Sequence, residues 1–471
     1  LPDNGWDRAD DPLPAYLTGK NYPFVTPVRR EIPRVFPRDS LDEDAVRTVQ
    51  RLARHGHLAY FVGGCVRDLL VQRKPKDFDV VTTARPRQVK KLFRNCWIIG
   101  RRFKLAHVNV GSKTIEVSTF RAFLPETFDQ DRDDLLIRRD NLFGTPEEDA
   151  CRRDFTINGL FYDLHCQVIL DHVGGMEDVE NRIIRTIGDP EIRFREDPVR
   201  ILRAIKFASR LTFAIEPSTY EAMVRHASDI QRCAAPRVLE EIFRIFRGGA
   251  AVKAFRLMRR SDVLRVLFPE IDARLEDDPV VLERLGRHLE ALDALVARGQ
   301  EPSAALCLAS LFLPVAEGRE RVEPSRWDQL TDELEDMLYA FCPRWNVSRR
   351  DAGRLRDIIA LQRRLRPAGI KRRQTRASIV RHPGFPDAIE LFRATAEGEP
   401  SFTEDVEMWE QLLRERQEPG PRSRSQTLAG PNGDAGGEGL EGNQGHPSGR
   451  SRPRRRRRRR GSRSRGGRTS S

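Results

Sequence analysis

Asp77 and Asp79 flank a single phenylalanine, Phe78, and follow by some ten residues the string Gly63-Gly64-Cys65-Val66-Arg67-Asp68. With residues 77–82 as a strand, alternation puts both carboxylates on one face and Phe78 on the other, in the core. Two carboxylates on one face make a hard oxygen site suited to Mg²⁺. The Gly-Gly pair ends the apolar run 58–62, a second short strand, and opens a helix whose first N–H groups are free to hold phosphate. Arg67, in the first turn of that helix, is placed to fork onto a phosphate. Either string alone is weak, since most Gly-Gly pairs are turns and lone D-x-D strings are common. Their order, strand–glycine turn–helix–strand within twenty residues, sets a phosphate cradle beside a divalent-metal site, which is what nucleotidyl transfer needs.

Two later strings extend the constellation. In Arg152-Arg153-Asp154-Phe155-Thr156-Ile157-Asn158, Asn158 falls one helical turn past Asp154, so the two share a face. Arg153 then offers a guanidinium to a triphosphate and the polar pair serves a ribose; a charged helix start is the plainer reading. In Glu196-Asp197-Pro198-Val199-Arg200-Ile201-Leu202-Arg203, Asp197 reads as an N-cap followed by Pro at the first helical position. Arg200 and Arg203 fall three apart on an exposed face, while Ile201, Ile205 and Ala208 face the core. An ordinary capped amphipathic helix looks the same; the functional reading makes the basic face an adenine pocket. Glu116, in the strand-like run 115–118, is an auxiliary metal candidate on the same sheet, against the plain alternative of a solvent-facing acid.

The elements that must hold these residues read as an α+β protein: a small mixed sheet forming a nucleotidyltransferase head, an all-α neck and body, and a basic tail. Residues 1–40, rich in proline, read as an irregular arm. The head spans 41–190, with a helix at 42–55, strands at 58–62, 77–82, 96–100, 103–110 and 114–119, helices from 64 and near 86–94, and a polar loop at 124–149. Beyond about 190 strand signals nearly vanish. Helical periodicity marks 198–210, 217–229, 236–247, 249–260, 280–297, 302–312, 326–341, 348–364 and 403–416, with a capping-box start at Ser348. These divide into a nucleotide- and RNA-binding neck, 191–260, and a helical body, 261–416. Residues 417–471, dominated by Gly, Pro, Ser and Asn, cannot build a core and read as disordered.

Of 471 residues, 83 are Lys or Arg and 70 Asp or Glu, a net charge of +13. Residues 417–471 hold 14 arginines against four acids, a net of +10, which leaves +3 for the rest. Seven consecutive arginines, 454–460, call for a polyanion. RNA fits better than anionic lipid, because no amphipathic or acylated anchor accompanies them. Seven scattered cysteines without a C-x-x-C argue for a reducing cytoplasm and against a disulfide frame or a zinc site. No apolar run reaches membrane-span length, and no signal-peptide apolar stretch opens the chain. A chain beginning at Leu1 reads as a trimmed product or as one with an unusual start codon.

Taken together, GGCVRD, KDFD, RRDFTIN and EDPVRILRA, in this order and spacing, resemble the class II nucleotidyltransferase family, which holds bacterial poly(A) polymerases and CCA-adding tRNA nucleotidyltransferases. The resemblance covers roughly 45–260, including the linking stretch 171–190. Within it, residues 98–108 are similar to the poly(A) polymerase signature, as is the Arg-rich tail. Gly159 departs from the family pattern, where Ala or Ser commonly follows the asparagine, and leaves a side chain out of the expected helix, a change that should matter little. Pro236–Glu241 resembles, less specifically, a body helix of these polymerases. The resemblance implies template-free AMP addition from ATP to single-stranded RNA 3′ ends, with two Mg²⁺ held by Asp77 and Asp79 and Asp154 as a third catalytic acid. Gly63, Gly64, Arg67 and Arg153 would hold the triphosphate, with Asn158 at the ribose. Asp197, Arg200 and Arg203 would select the base, and RNA-decay machinery would be the protein partner. Two alternatives remain: CCA addition to tRNA by the same chemistry, and a non-catalytic RNA-binding protein on the same fold. The second requires a lost carboxylate or a lost E-D-x-x-R string, and both are retained.

Overall fold

The computed structural model describes residues 30–100, 104–111, 113–122, 142–275, 278–318, 326–366, 373–397 and 400–417. They fall within one compact unit, Leu1–Glu418; the tail and most of the 124–149 loop lie outside the described residues.

Eight strands form one sheet: β1 (Arg30–Pro33), β2 (Ala59–Val62), β3 (Val80–Thr82), β4 (Cys96–Ile99), β5 (Leu105–Val110), β6 (Lys113–Thr119), β7 (Leu160–Asp163) and β8 (Val168–Asp171). Their order is β1-β8-β7-β2-β3-β6-β5-β4. Pairs are antiparallel except β3 with β6, which run parallel with Val80 opposite Val117. Helices α1 (Glu43–Arg54), α2 (Gly64–Leu70) and α3 (Pro86–Leu92) are packed against the sheet. The Asp42 carboxylate starts α1 by accepting from the Asp44 and Ala45 amides at 2.9 and 3.0 Å. Val49 and Leu52 then join the inward-facing Val80, Ala106, Val108, Ile115 and Val117 in one core. Over β7, β2 and β3 the opposite face is covered by a second cluster that includes Tyr60, Val81, Phe120, Ala150 and Phe161.

Helices α4 (Pro146–Cys151), α5 (Gly175–Asn181) and α6 (Pro190–Glu196) carry the chain out of the head, and a two-stranded parallel ribbon, β9 (Ile183–Ile184) with β10 (Ala214–Ile215), ties it to the neck. The neck comprises α7 (Val199–Leu211), α8 (Pro217–Arg225), α9 (Ala235–Phe246) and α10 (Ala251–Arg260). The body follows with α11 (Val263–Leu267), α12 (Pro269–Leu275), α13 (Pro279–Ala297), α14 (Ala304–Glu317), α15 (Trp327–Trp345), α16 (Arg349–Leu365), α17 (Arg373–Val380), α18 (Phe385–Ala396) and α19 (Thr403–Gln417). The Ser348 hydroxyl accepts from the Asp351 amide at 3.0 Å, starting α16.

Several expectations need correction. The end of the irregular arm is a strand: Arg30–Pro33 pairs with β8 at the sheet edge. Asp77, Phe78 and Asp79 precede β3 rather than belonging to it, although the Asp79 carbonyl accepts from the Val62 amide at 3.1 Å and alternation holds, with Phe78 buried and both acids exposed. Part of the expected polar loop is helix α4, capped by Thr145. The described body also contains α11, α12, α17 and α18, whose segments gave no helical signal.

Candidate active site

The sheet register brings the acids together. Val80 is opposite Val117 in the parallel pair, so the preceding residues, Asp79 and Glu116, stand side by side on the outer face. Although the Asp79 side chain keeps contact with solvent, close packing and then Glu116 push its carboxyl up to about 6, with Arg153 opposing and Asp77 adding. Glu116 is exposed and lies 3.6 Å from His107 Nε2 on β5. Among the described residues no group of three or more His, Cys, Asp or Glu closes into a metal cage. The donor set still fits Mg²⁺: hard oxygens, mutually repelling and short of countercharge, leaving coordination positions for phosphate and water.

Beside these acids is the glycine turn. Gly63 has φ +72°, in the left-handed region, and a Cβ there would stand 3.2 Å from Arg153 Nη1. Its missing side chain therefore lets Arg153 lie over the turn. Arg153 is held there by Asp149, whose Oδ2 accepts from Nε and Nη2 at 3.2 and 2.9 Å, and by the Phe161 ring below it. Gly64 begins α2, a helix of seven residues.

Arg67 does not have the expected geometry. It is 3% exposed, and its guanidinium donates to Asp68 Oδ1 at 2.9 and 2.6 Å and to Asn158 Oδ1 at 2.6 Å, over the Phe207 ring. A guanidinium committed in this way positions its neighbours instead of presenting a fork to a phosphate. Asn158 passes the chain of bonds on, donating to Asp154 Oδ1 at 3.0 Å. The two residues meet through an irregular turn and a 3-10 segment, Thr156–Asn158, not through an α-helix. Asp154 Oδ2 accepts from Arg203 Nε at 2.6 Å, joining head to neck. Burial alone would raise the Asp154 carboxyl, but Arg203, Asn158 and the Phe155 amide hold it well below the usual carboxylate range.

The neck string is also arranged differently from expectation. Pro198, not Asp197, occupies the N-cap position of α7, and the Asp197 side chain makes no cap bond. Both Asp197 oxygens instead accept from Arg237 on α9, at 2.8 and 2.5 Å. Arg200 is buried rather than exposed, donating to the Arg193 carbonyl at 2.8 Å and to Glu196 at 3.0 Å. Arg203 keeps part of its surface in solvent. The asparagine-following Gly159 is packed rather than helical: a Cβ there would meet Val173 Cγ2 at 2.6 Å.

Four supporting residues escaped the sequence reading. Arg193 reaches under the RRD turn and donates to the Arg152 and Arg153 carbonyls at 2.8 and 2.6 Å. Glu241 accepts from Lys206 at 2.6 Å and Arg244 at 2.9 Å and lies 3.8 Å from Arg203. Arg237 and Glu241 lie in the 236–241 string already noticed, whose i, i+4 spacing was the available signal. Phe207 gave none: its ring underlies Arg67, Arg203 and Lys206.

Comparison with known proteins agrees with this architecture. Residues 59–185 match a family model described as the poly A polymerase head domain. Residues 212–275 match "probable RNA and SrmB-binding site of polymerase A", and 325–461 match "polymerase A arginine-rich C-terminus". The poly(A) polymerase I of Salmonella typhi is 37% identical over 391 residues, 80% of this chain and 83% of that one. A CCA-adding enzyme of Lactobacillus helveticus is 40% identical over 215 residues, 45% of this chain and 52% of its own. Among solved structures, the Bacillus stearothermophilus CCA-adding enzyme in complex with CTP superposes with a TM-score of 0.55 at 27% identity, covering 79% of this chain and 81% of that one.

Proposed function

This chain belongs to the poly(A) polymerase family, and we propose that it is a nucleotidyltransferase adding AMP from ATP to RNA 3′ ends without a template, releasing pyrophosphate, in RNA polyadenylation and turnover. One observation carries this reading over CCA addition. Sequence likeness to a poly(A) polymerase I runs through 80% of the chain, body included, whereas sequence likeness to the Lactobacillus helveticus CCA-adding enzyme spans 45%, although the fold is shared over more.

Asp77 and Asp79 are the residues that would hold Mg²⁺, with Glu116 alongside. Bound there, the ions would acidify the RNA 3′-hydroxyl and neutralise charge on the departing pyrophosphate. Arg153, fixed over Gly63 by Asp149, is a cation whose field reaches Asp79 and would hold the triphosphate with the Gly63-Gly64 backbone. Asp154 stays ionised and holds Arg203 and Asn158 in place at the head–neck junction. Asp197 and Arg203 would read the base edge. Arg200 acts from beneath, fixing the Glu196–Asp197 corner through the Arg193 carbonyl. An adenine amino group bound to Asp197 would exchange with one of the two Arg237 bonds.

No helix among the described residues is long and apolar enough to cross a membrane. We place the protein in the cytoplasm on its seven free cysteines, with RNA-decay proteins as partners. The test supplies ATP alone, CTP alone or both together to purified protein with unstructured RNA or with tRNA, and sequences the products. A run of A on unstructured RNA is expected; a single C-C-A on tRNA overturns the reading in favour of the alternative.

A further inference from the structure

Among the described residues, the outer face of the sheet, covered over β7, β2 and β3, is partly exposed along β5 and exposed at Trp97 and Ile99 of β4. Trp97 on β4, the terminal strand, is 61% exposed and Ile99 is 50% exposed, whereas Trp327, Trp345 and Trp409 are buried. A single exposed aromatic is ordinary, but this one has a particular place. Trp97 is opposite His107, His107 is opposite Glu116, and Glu116 is beside Asp79. One cross-strand row thus runs from an indole in solvent to the candidate catalytic acids. Between Val80 and Ile115 there are nine Lys or Arg and no Asp or Glu; Arg87, Lys90 and Lys91 are on α3 against the inner face and Lys113 is paired with Asp42, so the run sets the net charge of this end of the head rather than lining the row.

From this row we infer a track for single-stranded RNA, with Trp97 stacking on a base of the primer's 3′-terminal segment while its 3′ end lies at Asp77 and Asp79. The inference rests on the function proposed above and adds to it the path of the primer. Three strand spacings separate Asp79 from Trp97, ~14 Å, or about four nucleotides at ~3.4 Å each. Stacking on an aromatic ring is indifferent to sequence, because every base has a π-face. A polymerase without a template must accept whatever 3′ sequence it is given, so a stacking platform suits it better than hydrogen-bond readout. The net positive charge at this end of the head favours a polyanion near it and disfavours a basic protein strand adding to the β4 edge, while the contact on the outer face itself is the stack on Trp97.

Two measurements on the full chain test this. The first omits ATP and replaces Trp6, which lies outside the described residues, by Phe in both proteins compared: an eight-nucleotide oligo(A) should quench tryptophan fluorescence where Trp97 is present and quench it far less in Trp97→Phe, because the buried indoles are out of reach. The second follows AMP addition to primers of three and ten nucleotides. Trp97→Ala should raise KM for the ten-mer about tenfold, with kcat at saturating primer much less affected. KM for the trimer, too short to reach β4, should hardly move, and Trp97→Phe should recover most of the loss. Undiminished quenching in Trp97→Phe overturns the track. So does an equal rise in KM for both primers, which marks a fold defect, or no rise at all, which leaves the β4 edge to a protein partner. A wild type that is quenched by RNA yet transfers no AMP would sink the functional reading while the track stood.

Discussion

Asp77 and Asp79 make the sharpest residue-scale prediction. Asp77→Ala or Asp79→Ala should lower AMP incorporation by several orders of magnitude while leaving RNA binding and thermal stability near wild type, since both side chains are exposed. Near-normal turnover by either purified variant would dismiss them as ligands. Arg67 tests the opposite role. Its guanidinium is buried among Asp68, Asn158 and Phe207, so Arg67→Ala strands buried polar groups and should cost about 3–5 kcal/mol of stability, read from denaturant midpoints. An unchanged midpoint with a raised KM for ATP would return Arg67 to the phosphate. The contrast also shows what was legible at this scale. The facing of Asp77 and Asp79 follows from spacing two, which holds in extended backbone even without a ladder. The commitment of Arg67 depends on Asn158, 91 positions away, and on the Phe207 ring of the neck. No local pattern carries such a pairing, and the same limit hid the burial of Arg200 and the Arg237 fork on Asp197.

Elements were legible where one face of a long segment is apolar, as in α1, α9 and α10, because the 3.6-residue period repeats over several turns. They were not where pairing is remote or the segment short: β1 is four residues, Arg-Glu-Ile-Pro, and becomes a strand because β8, some 135 residues on, supplies the ladder. Gly159 was read as a side chain missing from a helix, yet it lies in the junction between the 3-10 segment and β7, against Val173 and Ile187. Gly159→Ala should therefore destabilise the head by about 1–3 kcal/mol through overpacking, a lowered denaturant midpoint being the check; an unchanged midpoint would show that Val173 can move aside. In the body, His288 of α13 is fully buried, its Nδ1 without a partner and its Nε2 3.4 Å from Thr395 Oγ1 of α18. Burial, then Arg284, Arg287 and Arg366, push its pKa down to about 3 from an ordinary 6.5. Between those values the unfolded chain binds a proton that the folded chain refuses, so stability is full above about pH 6.5 and falls as the pH drops toward 3. His288→Gln should flatten the difference between denaturant midpoints at pH 7 and pH 5, by about 2 kcal/mol. An identical pH dependence in both proteins would remove His288 as its source.

At the scale of the whole molecule, charge separates catalysis from capture. Residues 417–471 hold +10 of the net +13, so the part containing the head, neck and body is nearly neutral overall. Its own basicity is local, above all in the run between Val80 and Ile115. Such a division would leave capture of RNA to the tail and alignment of the 3′ end to the sheet face, each acting only on phosphates within about 10 Å at ordinary salt. Single-strand binding by the full chain should weaken with salt at a log–log slope of about −0.7 for each phosphate neutralised. Deleting 417–471 should flatten that slope and raise the RNA concentration needed for half-maximal rate, while the rate at saturating RNA stays close to wild type. The deletion should also leave the Trp97 quench by a short oligonucleotide in place, since that contact belongs to the head. Equal affinity and equal slope before and after truncation would show that the tail does not capture RNA. Loss of AMP transfer on a saturating short primer would show instead that the tail completes the active site, and the division of labour would fail.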